Sequence, residues 1–139
     1  MKKTILILAL AASAVACNKG NKNQASSNNT AVADTSQLTT IKFVEDKFDF
    51  GKIAAGEVVE HTFKFVNTGK FPLIIKSATA SCGCTVPSKP DEPIAPGATG
   101  EIDVKFNSEG KTGLQDKHVT IIANTNPTAT MLELIGEVQ

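Results

Sequence analysis

Val59-Glu60-His61-Thr62-Phe63-Lys64-Phe65 decides the fold class. Val59, His61, Phe63 and Phe65 fall on one face of an extended chain, and Glu60, Thr62 and Lys64 fall on the other. That is the period of a half-buried strand. The same alternation recurs in Ile102-Asp103-Val104-Lys105-Phe106 and around Glu133, which Leu132 and Leu134 flank. Residues 40–44, 71–80 and 117–124 are rich in Ile, Val, Thr and Phe and also read as strands.

Turn chemistry separates these runs at short intervals. Asn67-Thr68-Gly69-Lys70, Pro93-Ile94-Ala95-Pro96-Gly97, Glu109-Gly110-Lys111-Thr112-Gly113 and Asn124-Thr125-Asn126-Pro127 each interrupt an apolar alternation. No stretch carries apolar residues at helical spacing over three turns. About seven short strands in roughly 100 residues predict an all-β chain folded as a β-sandwich. The chain has no Trp or Tyr, so its 7 Phe must supply the aromatic bulk, with Phe63, Phe65 and Phe106 as the expected centre.

Upstream of that domain the composition changes twice. Residues 1–16 begin with Lys2 and Lys3, continue through an apolar run from Ile5, and end in Ala14-Val15-Ala16. This is the pattern of a secretory signal peptide, and its apolar run is too short for the ~20 residues of a membrane span. Residues 17–37 are small and polar, with no large apolar side chain before Val32. They are expected to form a disordered tether with a root-mean-square span of about 25 Å. Residues 38–139 form the predicted domain.

Cys17 directly follows the small-residue end of the signal segment. The arrangement resembles a bacterial lipoprotein lipobox, with Ala14 where leucine is usual. The resemblance implies that Cys17 is lipidated and becomes the mature N-terminus. Several acyl chains on one cysteine supply stable anchoring, and the modification removes an otherwise exposed thiol. Asn18, in place of aspartate, points by resemblance to sorting rules towards the outer membrane, with the domain facing the periplasm.

The domain carries 10 Lys against 13 Asp+Glu, a net charge of −3, and there is no arginine in the chain. Nothing there suits nucleic acid, which demands a basic patch and stacking aromatics. Hydrolytic chemistry is equally unsupported. No Gly-x-Ser-x-Gly, His-Glu-x-x-His or phosphate-loop motif occurs, and only His61 and His118 could serve as bases. The sequence therefore implies no enzyme and no cofactor.

Ser81-Cys82-Gly83-Cys84-Thr85 is the one local motif with chemical potential. On a strand, residues i and i+2 share a face, and Gly83 lets the backbone bend to approximate the sulfurs. Three readings stand: a local disulfide or thiol pair, a redox-active pair, and a soft-metal site with Cys82 and Cys84 as ligands. A disulfide requires Cα atoms about 4.4–6.8 Å apart. Zinc wants four ligands, and only His61 and His118 could add nitrogen. The parity of His61 with Phe63 and Phe65, and of His118 with Thr120 and Ile122, is compatible with structural roles for both.

Phe48-Asp49-Phe50-Gly51-Lys52-Ile53, Gly56, Phe63-Lys64-Phe65-Val66-Asn67-Thr68-Gly69, Pro72-Leu73-Ile74-Ile75, Ser81-Cys82-Gly83-Cys84-Thr85 and Pro96-Gly97 occur in a familiar order. With the terminal Leu134-Ile135-Gly136, they resemble the bacterial domain of unknown function numbered 1573. The resemblance implies an Ig-like sandwich related to hydin-type and major-sperm-protein domains. Such domains mostly bind other proteins or serve as structural modules. Two functions follow as expectations: a membrane-anchored, non-catalytic binding domain with a protein or envelope partner, and alternatively a metal or redox protein using Cys82 and Cys84.

Overall fold

The computed structural model describes residues 36–139; the signal segment, Cys17 and nearly all of the tether lie outside them. Among the described residues eight strands form: β1 (Ile41–Phe43), β2 (Lys47–Ile53), β3 (Val58–Asn67), β4 (Ile75–Ala80), β5 (Cys84–Ser88), β6 (Thr99–Asn107), β7 (Gly113–Ala123) and β8 (Ala129–Val138). They make two four-stranded sheets, β1-β3-β6-β5 and β2-β8-β7-β4. All neighbours are antiparallel except β2 and β8, which run parallel. The all-β expectation holds, with β2 and β5 added to the alternations read from sequence.

The core is the inner parity of both sheets. Phe63, Phe65, Ile102, Val104 and Phe106 from the first sheet are buried together with Val119, Ile121, Leu132 and Leu134 from the second. Burying side chains of this size contributes about 1.5–3 kcal/mol each. Phenylalanines do fill the centre. The Phe43 and Phe65 ring centroids lie 5.3 Å apart, and those of Phe50 and Phe106 lie 5.4 Å apart. Gly136 makes the latter contact possible, because a Cβ there would collide with the Phe50 ring.

The two ends of the sandwich differ in construction. At the N-terminal end, where the described chain enters, residues 36–40 meet the loops 67–74, 89–98 and 124–128. Two buried asparagines knit this end. Asn67 Oδ1 accepts from Thr39 Oγ1 at 2.8 Å and from the Gly69 amide at 3.1 Å. Its Nδ2 donates to the carbonyls of Phe71 and Ile94 at 2.8 and 2.9 Å. Asn124 Oδ1 accepts from the Ile74 amide at 2.8 Å, and its Nδ2 donates to the carbonyls of Gln37 and Pro72, both at 2.9 Å. Each side-chain amide thus replaces the water its loop carbonyls would otherwise need.

The opposite, far end comprises residues 54–57, 81–84 and 107–113 with the chain's last residues. One buried polar side chain braces it: Ser108 Oγ lies 3.0 and 2.8 Å from the carbonyls of Ala54 and Glu57. Otherwise tight turns close this end.

Candidate functional site: the far end and the outer face beside it

Cys82 and Cys84 straddle a turn rather than sharing a strand, which corrects the face argument made from sequence. β4 is the edge of the second sheet and β5 the edge of the first. The chain crosses between them at Ser81–Cys84, closed by a hydrogen bond from the Cys84 amide to the Ser81 carbonyl at 3.0 Å. Gly83 occupies the third position with φ +89°, the left-handed conformation that a type II turn requires there. The turn is pinned on both sides. The Ser81 amide donates to the His118 carbonyl, the His118 amide donates to Ser81 Oγ, and the Asn107 amide donates to the Gly83 carbonyl.

Both cysteines are free thiols in this structure, Cys82 exposed and Cys84 half-buried. Cys84 sits opposite Phe106 in the β5–β6 ladder, and Lys117 Nζ lies 5.8 Å from the centroid of that ring. Burial pushes the Cys84 thiol above its ordinary pKa, with the Lys117 charge pulling the other way. A raised pKa keeps Cys84 protonated at neutral pH and so disfavours thiolate chemistry at this sulfur.

The histidines do not join the cysteines. His61 stacks on Phe48 with centroids 3.7 Å apart, meets Phe63 edge-on at 4.7 Å, and has Nε2 3.0 Å from Glu45 Oε1. It is a packed ring with its polar tip bonded at the surface. His118 faces out from β7, its Nε2 3.5 Å from Asp116 Oδ1. Among the described residues, no group of three or more His, Cys, Asp or Glu gathers around one point to hold a metal ion.

A feature that sequence reading missed lies on the outer face of the second sheet, close to the far end. Strands β2, β8 and β7 pair side by side there, and the register sets up three cross-strand rows. They are Lys47–Glu133–His118, Asp49–Ile135–Asp116 and Lys52–Glu137–Leu114. In the first, Lys47 and Glu133 pair at 2.6 Å, and in the third Lys52 and Glu137 pair at 3.1 Å. The middle row has two carboxylates flanking an isoleucine, with no cation in it. Between Asp49 and Lys52, β2 carries an extra residue relative to β8, with Gly51 at φ +69°. This bulge turns the edge strand away from a straight ladder. A groove of about 460 Å³ opens over the last two rows, lined by Asp49, Lys52, Leu114, Asp116, Ile135 and Glu137 among others. Leu114 stands 87% exposed at its end, inside a regular strand.

Solved structures place this architecture among Ig-like domains. A crystal structure of a protein of unknown function from Porphyromonas gingivalis W83 superposes with a TM-score of 0.63 at 19% identity, covering 78% of this chain and 51% of that one. The secreted serine protease VesC from Vibrio cholerae gives 0.59 at 17% identity, covering 76% and 24%. The ASH / PapD-like domain of human CEP192 gives 0.54 at 12% identity, covering 73% and 87%. The chain thus spans about half of the first protein and about a quarter of the second. At these identities the likeness is one of fold. No curated protein matches the chain in sequence. The model of the family described as "Protein of unknown function (DUF1573)" matches residues 41–138, essentially the whole sandwich with its Cys-Gly-Cys turn, and the chain belongs to that family.

Proposed function

We propose that the protein is a cell-envelope lipoprotein whose Ig-like domain is a non-catalytic binding module. Residues 1–16 direct export, lipidated Cys17 holds the chain in the outer membrane facing the periplasm, and residues 17–37 form the tether. The observation that carries this reading is the polarity of the domain. The chain enters at the asparagine-knitted end, while the open groove with Leu114 lies towards the opposite end. A tethered module presents to partners the end opposite its tether. The engagement of His61 with Phe48 and Glu45 supports a structural role for that imidazole.

Two measurements test the proposal. Radiolabelled palmitate should enter the wild-type chain and not Cys17→Ala, and only the wild type should sediment with membranes. Benzoylphenylalanine replacing Leu114 should give discrete photo-adducts in intact cells, whereas the same residue replacing Glu101, on the outer face of the first sheet, should not. A soluble, unlabelled wild type contradicts the anchor. Equal adducts at both positions, or none at either, contradict the binding role of the far end.

A further inference from the structure

We propose that the groove over β2, β8 and β7 docks an extended segment of a partner protein in which a Lys or Arg stands two residues from a large apolar residue; this rests on the binding reading above and names the partner's chemistry. The middle row supplies the charge argument. Asp49 and Asp116 flank Ile135 directly, one from each neighbouring strand. Cross-strand neighbours are about 5 Å apart at Cβ, so the two carboxylates straddle Ile135 at roughly twice that separation. An ammonium or guanidinium fits between them, with its methylene stem lying on the isoleucine.

Among the described residues, the groove has no lysine left to fill that place. Lys52, the one lysine in its described lining, already pairs with Glu137 at 3.1 Å. Lys47, one row away, pairs with Glu133 at 2.6 Å. His118 reaches Asp116 at 3.5 Å from the side, and Asp49 Oδ1 accepts the Gly51 amide at 2.8 Å. The third row supplies the apolar argument, because Leu114 offers a large side chain at 87% exposure one residue pair further along. A segment running along the strands would set its cation over Ile135 and its apolar side chain on Leu114. A second copy presenting this same face would instead oppose carboxylate to carboxylate.

The test uses the full chain in mild detergent and a random dodecapeptide library displayed on phage. Selected peptides should pair Lys or Arg with Leu, Ile, Val, Met or Phe. Their affinity should fall at least tenfold in the Asp49→Asn plus Asp116→Asn variant and in Leu114→Ser, and it should weaken as salt rises. All three positions are exposed, and unchanged melting temperatures would confirm intact folds. Selection of acidic or purely apolar peptides, failure to select any, or binding indifferent to these variants overturns the proposal. So does a wild-type dimer in analytical ultracentrifugation that Leu114→Ser abolishes, since the occupant would then be a second copy. Photo-adducts at position 114 in cells without basic peptides in the selection would leave the binding reading standing and refute the partner chemistry.

Discussion

The N-terminal end and the far end close the same sandwich by opposite means. At the N-terminal end, Asn67 and Asn124 are fully buried and spend their side-chain amides on loop backbone, with the Thr39 hydroxyl also donating to Asn67. At the far end the backbone does more of the work, through the glycine turn at Ser81–Cys84, with the Ser108 hydroxyl as a side-chain brace, and side chains such as Cys82 and Leu114 are left outside. The N-terminal end still exposes Leu38 and Phe71 beside its asparagine locks, so its apolar surface lies where the chain enters. An end closed by its own backbone keeps its side chains available, and that is the end the tethered reading proposed above turns to a partner.

The contrast breaks first, and with the largest effect, at Asn124. Replacing it by alanine strands the Ile74 amide and the Gln37 and Pro72 carbonyls together, and should cost about 2–4 kcal/mol in urea unfolding. A loss below about 0.5 kcal/mol would mean that water seals this end and that the asparagine is incidental. Gly83→Ala comes next, because a side chain at φ +89° is strained and Lys111 Cε already lies 3.3 Å from where the Cβ would be. About 1–2 kcal/mol is expected, read from the same unfolding curves. No change would show that the turn refolds around the substitution.

Leu114→Ser should move stability by less than about 0.5 kcal/mol while abolishing the photo-adducts and peptide binding described above. The same substitution at Leu134, equally a leucine on paired strands but fully buried, should unfold the domain or cost about 2–5 kcal/mol. Cys82→Ser should be silent in both assays, since its side chain is exposed and lies outside the groove. If it abolished binding, the thiol turn and not the groove would be the operative part of the far end.

Sequence reached the inner faces of this molecule better than its ends. The alternations at Val59–Phe65 and Ile102–Phe106 revealed the core because burial imposes period two on every strand it touches. β2 escaped that reading, since its Gly51 bulge breaks the alternation of Phe48 and Phe50 before Ile53 resumes it. β5 escaped because it is a five-residue edge strand containing Pro87. Asn67 and Asn124 read as ordinary turn residues, because a turn asparagine and a buried asparagine look alike in one dimension. The groove was invisible for a deeper reason. Asp49, Ile135 and Asp116 are dispersed along the chain, and only the parallel pairing of β2 with β8 sets them in one row.

The smallest expected effect lies in the first of those rows, where Lys47 and Glu133 pair at the surface. The hydrogen bond to Lys47 holds the Glu133 carboxyl below its ordinary pKa, and the same bond raises that of Lys47. A depressed carboxyl contributes stability that is present above its unfolded pKa and lost as pH falls through its folded one. A raised ammonium contributes stability that is present below its unfolded pKa and lost as pH rises through its folded one. The pair's coupling should therefore be flat from about pH 6 to 9 and should fade in acid, below the usual carboxylate range near about 4.3. Both side chains are well solvated, so the effect should be slight and screened by salt. A double-mutant cycle of Lys47→Met and Glu133→Gln, followed by melting temperature across pH, reads it. Coupling that persisted unchanged below pH 3 would show that packing of the two stems, not their charges, joins them. The neutralised row beside Asp49–Ile135–Asp116 would then lose its electrostatic meaning, and an arriving cation would have Glu133 as a competing site.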